Sequence, residues 1–296
     1  MGMIMPDLVE LIVLAAGKTN LRCLRLPERK IITLRPVGGV RDETEGEILR
    51  VIPNKEWEYK KHTYLSGKVI DSYIDGSVLT PVPLRLYSHG TWDSFYYFAE
   101  LWEIDPDREL PSSLPEWVIA VLKAGPREVF EMEQIIPGAN PEEMEDPISL
   151  AVEYAHQGNI DKTWQILHGC LTKDLRCIDA FAHLGTYTFG DGRSAWHAKR
   201  AMQRYLAGVK VGEQALPPGF NGLLPWSWIN NRPFLRALHG LGLCQWRLGQ
   251  FDAARNTFWR ILMLDPMDAL GCRFILPDVE KGRDYLATVA DENWPC

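Results

Sequence analysis

The chain has 296 residues, of which 46% are hydrophobic and 24% are charged. This composition can fill a sizeable core in one large or two ordinary domains, so it excludes wholesale disorder. The longest apolar run, Leu11 to Ala16, is too short to cross a membrane. The formal charge of -7 argues against uniform affinity for nucleic acid or an anionic membrane. All of this charge lies before residue 144, where 23 acidic side chains outnumber 16 basic ones, while the remainder holds 16 of each.

The cysteines and the N-terminus indicate a compartment. The six cysteines lie at least seven positions apart, so the sequence has no CxxC pair for zinc or redox chemistry. Pro6 and Asp7, rather than a cationic segment, precede the first apolar stretch, which is wrong for a secretory signal. We therefore expect a cytoplasmic protein with no membrane partner and no cofactor.

The first half begins with a predicted helix and continues with predicted strands. From Pro6 to Ala16 the apolar residues have the spacing of an amphipathic helix, with Gly17 as its end. From Lys30 to about Trp102, short β-rich runs alternate with turn formers. The predicted strands are Ile31–Leu34, Ile48–Ile52, Lys68–Ile74 and Val82–Tyr87. Together they predict a small antiparallel sheet or barrel.

A proline-rich and acidic stretch follows the predicted strands. Seven prolines lie from Asp105 to Pro147, and two segments within this stretch, Glu116–Lys123 and Arg127–Ile135, have a helical pattern. The run of glutamates in its second part is typical of a solvated face. We predict a connector at 106–143 that contains short helices.

The second half contains an internal repeat, and its clearest copy runs from Leu235 to Asp268. The signature residues of this copy are Leu241 and Gly242 at positions 7 and 8, Ala254 at 20, Phe258 at 24 and Pro266 at 32. The pattern resembles the tetratricopeptide repeat, whose unit of about 34 residues is two antiparallel helices. The small residues let the two helices approach, the large ones fill the space between them, and the proline ends the second helix. Leu238 and Gln245 depart from the family's usual Trp and Tyr.

Two weaker copies precede the clearest one. The first begins at Met144, and the next follows at Ile178, where a one-residue insertion near Gly190 restores the register. A longer insertion at about 213–234 then separates them from the clearest copy. The resemblance implies an α-solenoid of about three repeats with a concave face. The expected fold is α+β, with an N-terminal helix and antiparallel β-rich domain at 1–105, the connector at 106–143 and a TPR-like helical domain at 144–296.

The resemblance also implies where a partner binds. Repeat proteins of this family contact ligands mainly through the first helix of each pair. The insertion is a second candidate, because long loops in compact domains are often functional, although it could equally be a hydrophobic plug that joins two repeats. The candidate partner-binding residues are Arg236, His239, Trp246 and Arg247 in the clearest copy, His156 in the first copy, and Trp228, Asn231 and Arg232 in the insertion.

Local charge suggests a further kind of partner. Residues 193–260 carry ten basic side chains and two acidic ones, interleaved with aromatic residues. Surfaces that combine cations and aromatic rings suit an acidic peptide or single-stranded nucleic acid. The alternative is that the aromatic residues form the core of the helical stack and the arginines its solvated outside.

No catalytic motif accompanies these features. The seven histidines include no HExxH or HxH spacing, and the sequence has neither a GxSxG elbow nor a Walker loop. The leading hypothesis is a non-enzymatic scaffold or adaptor that binds a protein or an acidic peptide through a TPR-like groove. The alternative is a nucleic-acid-binding accessory protein that holds RNA or single-stranded DNA on segment 193–260. An enzyme built on the first-half sheet is a third interpretation.

Overall fold

The computed structural model describes residues 8–40, 42–104, 110–140 and 146–290. Contacts divide the chain into two compact units, each assembled from two chain segments. The first unit combines Met1–Pro83 with Ile135–Gln214, and the second combines Leu84–Gln134 with Ala215–Cys296. This grouping differs from the linear order 1–105, 106–143 and 144–296, because the chain passes from one unit to the other three times.

Five strands of the first unit form a closed barrel in the order β1-β2-β3-β5-β4. The strands are β1 (Val9–Ala16), β2 (Leu21–Arg25), β3 (Lys30–Pro36), β4 (Ile48–Tyr59) and β5 (His62–Tyr73). All neighbouring pairs are antiparallel except β3 and β5, which run parallel. The predicted barrel and its strands at 31–34, 48–52 and 68–74 are confirmed in outline. The expected antiparallel pattern is wrong for one pair, because β5 returns from β4 to lie beside β3, a long-range pairing that local sequence does not show.

The predicted N-terminal helix Pro6–Ala16 is wrong. The described part of this segment is strand β1, which is buried on both faces. Val9, Leu11 and Val13 belong to the barrel core, while Ile12 and Leu14 are buried on the opposite side. Helix α5 (Ile160–Lys173) packs against β1. A strand with apolar residues on both faces has no period-two alternation, so its pattern can be mistaken for that of a helix.

The remaining elements of the first unit are helices. They are α1 (Gly76–Leu79), α4 (Pro147–His156), α5, α6 (Ile178–Phe189) and α7 (Ala195–Glu213). The pairs α4–α5 and α6–α7 pack closely. In the second pair, a Cβ atom added at Gly185 of α6 would lie 2.7 Å from the ring of Tyr205 of α7. The glycine has no side chain, so this ring can pack directly against the α6 backbone.

The second unit contains a two-stranded sheet and helices. Its elements are β6 (Leu86–Trp92), α2 (Ser94–Leu101), α3 (Glu116–Ala124), β7 (Arg127–Met132), α8 (Arg232–Arg247), α9 (Phe251–Leu264), α10 (Cys272–Glu280) and α11 (Tyr285–Val289). The predicted helix at 116–123 is confirmed. The predicted helix Arg127–Ile135 is wrong, because its first six residues are β7 and pair with β6. Only the last two residues of the predicted strand Val82–Tyr87 belong to β6, since Pro83 cannot donate to a ladder.

The insertion at 213–234 packs against β7. The Leu223 backbone donates to Glu128 O and accepts from Phe130 N, each at 2.8 Å. A short 3-10 turn, Ile229–Asn231, then leads into α8. The Asn231 amide is buried; its oxygen accepts from Met132 N at 2.8 Å and its nitrogen donates to Phe130 O at 2.9 Å. These contacts hold the insertion to the edge of the two-stranded sheet.

Candidate protein-binding groove

A groove of about 480 Å³ lies on the second unit. It runs between α2 and α3 on one side and α9 and α10 on the other. Most of its lining is apolar or aromatic, and a few charged residues stand at its edge. The lining residues are Leu101, Trp102, Pro115, Glu116, Trp117, Trp259, Arg273, Phe274, Leu276, Pro277 and Glu280.

Two buried side chains anchor the groove. Trp117 of α3 and Leu276 of α10 are each 4% exposed. The Trp117 ring packs edge-on against Phe98 of α2, with ring centres 5.7 Å apart. This contact fixes the position of α2 relative to α3, so the groove keeps its apolar base without a ligand.

The start of α10 is set by a buried carboxylate. Asp268 accepts hydrogen bonds from the backbone of Cys272 at 2.6 Å and of Arg273 at 3.0 Å. Burial raises the pKa of Asp268, although these two amides act in the opposite direction. Asp268 therefore satisfies two amides in the first turn of α10, which carries Phe274 into the wall of the groove.

Large apolar side chains of the wall remain open to solvent. Leu101 is 49% exposed, Trp102 is 36% exposed and Phe274 is 50% exposed. Single exposed apolar residues are ordinary, but a contiguous set around a concave surface is typical of an interaction site.

The edge of the groove carries charges of both signs. Arg255 contacts Glu280 at 3.3 Å and Glu116 at 3.7 Å, and its Cζ atom lies 5.4 Å from the centre of the Trp259 ring. The Glu116 side chain is still 81% exposed. Glu116 can therefore accept a hydrogen bond from an incoming cation without losing a buried contact.

The structure places two of the predicted binding residues on a tryptophan. Arg232 and Arg236 lie with their Cζ atoms 5.4 Å and 5.9 Å from the Trp226 ring centre, and Arg232 also donates to Trp226 O at 3.0 Å. Trp228 stacks on His89 with ring centres 3.8 Å apart. These side chains are half-buried and fix the insertion, and none of them lines the groove.

Two other predicted residues are internal. Trp246 is 1% exposed, and its indole nitrogen donates to Arg283 O at 2.8 Å. Asn231 is 0% exposed and uses its amide on β7. Contact of either side chain with a partner would require these internal hydrogen bonds to break.

The last three predicted residues differ in their surroundings. Burial lowers the pKa of His239 to about 4, and its ring packs edge-on against Phe258 at 5.9 Å. Arg247 is half-buried in the last turn of α8. His156 is exposed at the end of α4, in the first unit, whereas the other seven residues belong to the second.

Segment 193–260 also divides between the units, with α7 in the first and α8 and α9 in the second. Some of its aromatic residues lie in the core and others on the surface: Phe234 is 0% exposed and Tyr205 is 4% exposed, whereas Trp196 is 53% exposed. Arg204 is 2% exposed and paired with Glu45 at 2.6 Å, so its charge does not contribute to a basic surface.

No pattern in the sequence predicts the groove. Its residues come from the end of the predicted β-rich domain, from the predicted connector, from the last repeat (Trp259) and from the tail after that repeat. The available signal was the density of aromatic residues in 95–102, followed by Trp117. That signal indicates apolar packing, but not which surface stays open.

Comparisons with known proteins add no relative. Protein-family models, curated proteins and solved structures all give no match to this chain. Among the described residues, no helix is both long enough and apolar enough to span a bilayer.

Proposed function

We propose that this protein is a non-enzymatic adaptor that binds an amphipathic helix of another protein in the groove of the second unit. The observation that carries the proposal is the open apolar wall of Leu101, Trp102 and Phe274 above a fixed base. Grooves of this kind accept the apolar face of a helix through anchors spaced three or four residues apart. A volume of about 480 Å³ suits two or three large apolar side chains.

The charges at the edge of the groove indicate which charge the ligand carries. Both arginines at the groove are already paired, Arg255 with Glu116 and Glu280 and Arg273 with Asp268 at 3.7 Å. The edge therefore offers the exposed carboxylate of Glu116 to a ligand more readily than it offers an unpaired cation. We infer a helix whose apolar stripe is flanked by Lys or Arg on the side that meets Glu116. This choice replaces the acidic peptide expected from the sequence.

Packing within the helical pairs supports the tetratricopeptide-like part of the proposal. A Cβ atom added at Gly242 would lie 2.8 Å from the Phe258 ring, which is the close approach expected between positions 8 and 24 of that repeat. Gly185 in the preceding copy also faces an aromatic ring, and Thr163 of α5 donates to Ala151 O of α4 at 3.1 Å. Position 8 thus lies at the contact between the two helices in all three pairs, and in two of them it is a glycine that faces an aromatic ring. We propose that these three pairs are tetratricopeptide-like repeats.

The nucleic-acid alternative on segment 193–260 is less well supported. Its arginines are divided between two units, and Arg204 is neutralised by Glu45. The feature that favours it is the exposed Trp196, whose ring centre lies 4.8 Å from Cζ of the half-buried Arg200. A test of the adaptor proposal therefore has to separate the groove from this segment.

A peptide-display selection tests the adaptor proposal. Helical peptides randomised on one face are selected on the full chain, and each enriched peptide is titrated by fluorescence anisotropy against the unchanged protein and Phe274→Ser. We expect enrichment of apolar residues at i, i+4 and i+7 with a flanking Lys or Arg, and at least about tenfold weaker binding by the variant, because one buried anchor is worth about 1.4 kcal/mol or more.

Ile229→Ser is the matched control, since Ile229 is 63% exposed on the same unit but does not line the groove. This variant should bind the enriched peptides as the unchanged protein does. Failure to enrich any peptide, or equal binding by the Phe274 variant, would overturn the proposal. A selection dominated by acidic peptides would restore the original expectation of an acidic ligand.

A further inference from the structure

The outer face of the barrel strands β2, β3, β5 and β4 combines cations with aromatic rings. Strand register places Arg22 beside Thr33, Thr33 beside Tyr64, and Tyr64 beside Trp57. These four residues form one row across four strands, a distance of roughly 14 Å. We call this surface, together with Arg35, Lys55 and the β4–β5 turn, the cationic face.

Aromatic rings and cations are in direct contact on the cationic face. The rings of Trp57 and Tyr64 are stacked, with centres 5.5 Å apart and planes 11° apart. The Cζ atom of Arg35 lies 5.5 Å from the Trp57 centre and 5.4 Å from the Tyr64 centre, and Lys55 Nζ lies 5.9 Å from Trp57. The two rings are half-buried, whereas Arg35 and Lys55 are exposed. The face therefore offers rigid rings and solvent-facing cations together.

The acidic residues of the same hairpin are held away from this face. Side chains alternate across a strand, so Glu56 and Glu58 point to the side opposite Trp57. There they pair with Arg25 at 2.9 Å and Lys30 at 3.9 Å. Among the described residues, no carboxylate lies within 4.0 Å of the charged nitrogens of Arg22, Arg35 or Lys55. The cationic face is thus locally positive although the protein as a whole is acidic.

The turn between β4 and β5 is unusual in its residues. Lys60 and Lys61 form its two central positions and have φ angles of 47° and 62°. Turns with two left-handed positions favour Asn-Gly, because side chains such as lysine are strained there. Both lysines are exposed, and Lys60 Nζ lies 5.3 Å from the ring centre of Tyr59, which is 57% exposed. Backbone strain that places two cations and an aromatic ring at one tip points to a role in binding.

We propose that the cationic face binds single-stranded nucleic acid, a function beyond the adaptor role. Arg22, Arg35, Lys55 and the turn lysines would contact phosphates, and bases would stack on the rings of Trp57, Tyr64 and Tyr59. Stacking on aromatic side chains combined with a cationic surface is the usual mode for single strands. An acidic peptide complements the charge but supplies no planar bases, and a duplex keeps its bases stacked within the helix.

Binding is measured by anisotropy with a labelled dT 12-mer, a U 12-mer and a 12-base-pair duplex. We expect the full chain to bind the single strands with a Kd of about 1–100 μM at 50 mM salt. About five phosphate contacts, from Arg22, Arg35, Lys55, Lys60 and Lys61, would weaken binding roughly 100-fold between 50 and 200 mM salt. The duplex should bind more weakly than either single strand.

The double variant Lys60→Asn with Lys61→Gly provides the sharpest test. Asn-Gly relieves the turn strain, so the melting temperature should rise, while single-strand affinity should fall at least fivefold because two cations are lost. A turn with only a structural role would show the first change without the second, and that result would overturn the proposal. Lys123→Asn with Lys281→Asn is the charge-matched control on the second unit, and its affinity should stay within twofold of the unchanged protein.

A second variant addresses the rings. Trp57→Ala should weaken single-strand binding at least tenfold, and its circular dichroism and melting curve report whether the barrel stays folded. If Trp57→Ala does not fold, Arg35→Gln takes its place, with at least threefold weaker binding expected. Tighter binding of the duplex, equal binding of a polyglutamate peptide, or no binding of either 12-mer at 100 μM protein and 50 mM salt would overturn the proposal.

Discussion

Arg204 in the first unit and Arg127 in the second are both buried, at 2% and 5% exposure, but their charges are compensated differently. Arg204 contacts the carboxylate of Glu45 at 2.6 Å and donates to Thr188 at 3.0 Å. Arg127 donates to the carbonyl of Met263 at 2.6 Å, and its Nε and Nη2 find no partner among the described residues. One arginine meets a full negative charge, and the other meets the C-terminal end of helix α9.

The pKa values reflect this difference. The pKa of Glu45 lies well below its usual range: burial acts against the charged form, but Arg204 and His168 outweigh it. Burial lowers the pKa of Arg127. Removing one partner of a buried ion pair is strongly destabilising, because the other charge stays buried without compensation. An arginine that contacts only a helix end is expected to contribute little to the free energy of unfolding. Removing a buried charged side chain should therefore lower stability much more at the Arg204–Glu45 pair of the first unit than at Arg127 of the second.

The largest effect is expected for Glu45→Ala. This change leaves Arg204 and His168 without the carboxylate that contacts both, His168 at 3.0 Å, so the free energy of unfolding should fall by about 3–5 kcal/mol. Urea unfolding followed by circular dichroism measures the loss. Glu28→Ala, on an exposed residue of the same unit, should change stability by less than about 0.5 kcal/mol. Equal effects of the two variants would contradict the importance of the pair.

Glu47 sharpens the comparison within the first unit. Burial raises its pKa to about 7, because its hydrogen bonds to Thr44 only partly offset the loss of water. A raised carboxyl pKa means that stability present below the unfolded value of 4.5 is lost as pH rises through 7, at most about 3 kcal/mol here. Glu47→Gln should remove this dependence. Parallel pH profiles of the variant and the unchanged protein, measured by urea unfolding from pH 4.5 to 8, would contradict it.

The second unit should respond to pH with the opposite sign through His239. Burial lowers its pKa to about 4, so the stability from its neutral ring is present above pH 6.5 and lost as pH falls through 4. The loss amounts to at most about 3 kcal/mol. His239→Leu should flatten the profile between pH 6.5 and 4, as monitored by tryptophan fluorescence. A profile unchanged by the substitution would show that the ring is not the titrating group.

The smallest effect is expected for Arg127→Met. This substitution removes a buried charge but leaves the Met263 carbonyl without its donor, so the two changes should balance to within about 1 kcal/mol. Thermal unfolding of the variant beside the unchanged protein measures the difference. A loss above about 2 kcal/mol would show that the contact with the end of α9 stabilises the unit as strongly as an ion pair.

Local sequence predicted the elements that bury one face and expose the other. The strands at 31–34 and 48–52 and the helix at 116–123 follow from turn formers and apolar spacing. Segments 6–16 and 127–135 were assigned the wrong structure, because β1 is buried on both faces and β7 depends on β6 and on Leu223 across long sequence separations. The groove joins residues 101–117 to 259–280, so no local pattern could identify it.

The chain's three passages between the units constrain how this protein can be divided. A break after residue 143 would separate β7 from Asn231, whose buried amide bonds the backbone of Phe130 and Met132. It would also separate β1 from the helix that covers its outer side. An N-terminal half and a C-terminal half would each contain part of both cores. No single cut in the chain therefore yields either unit whole.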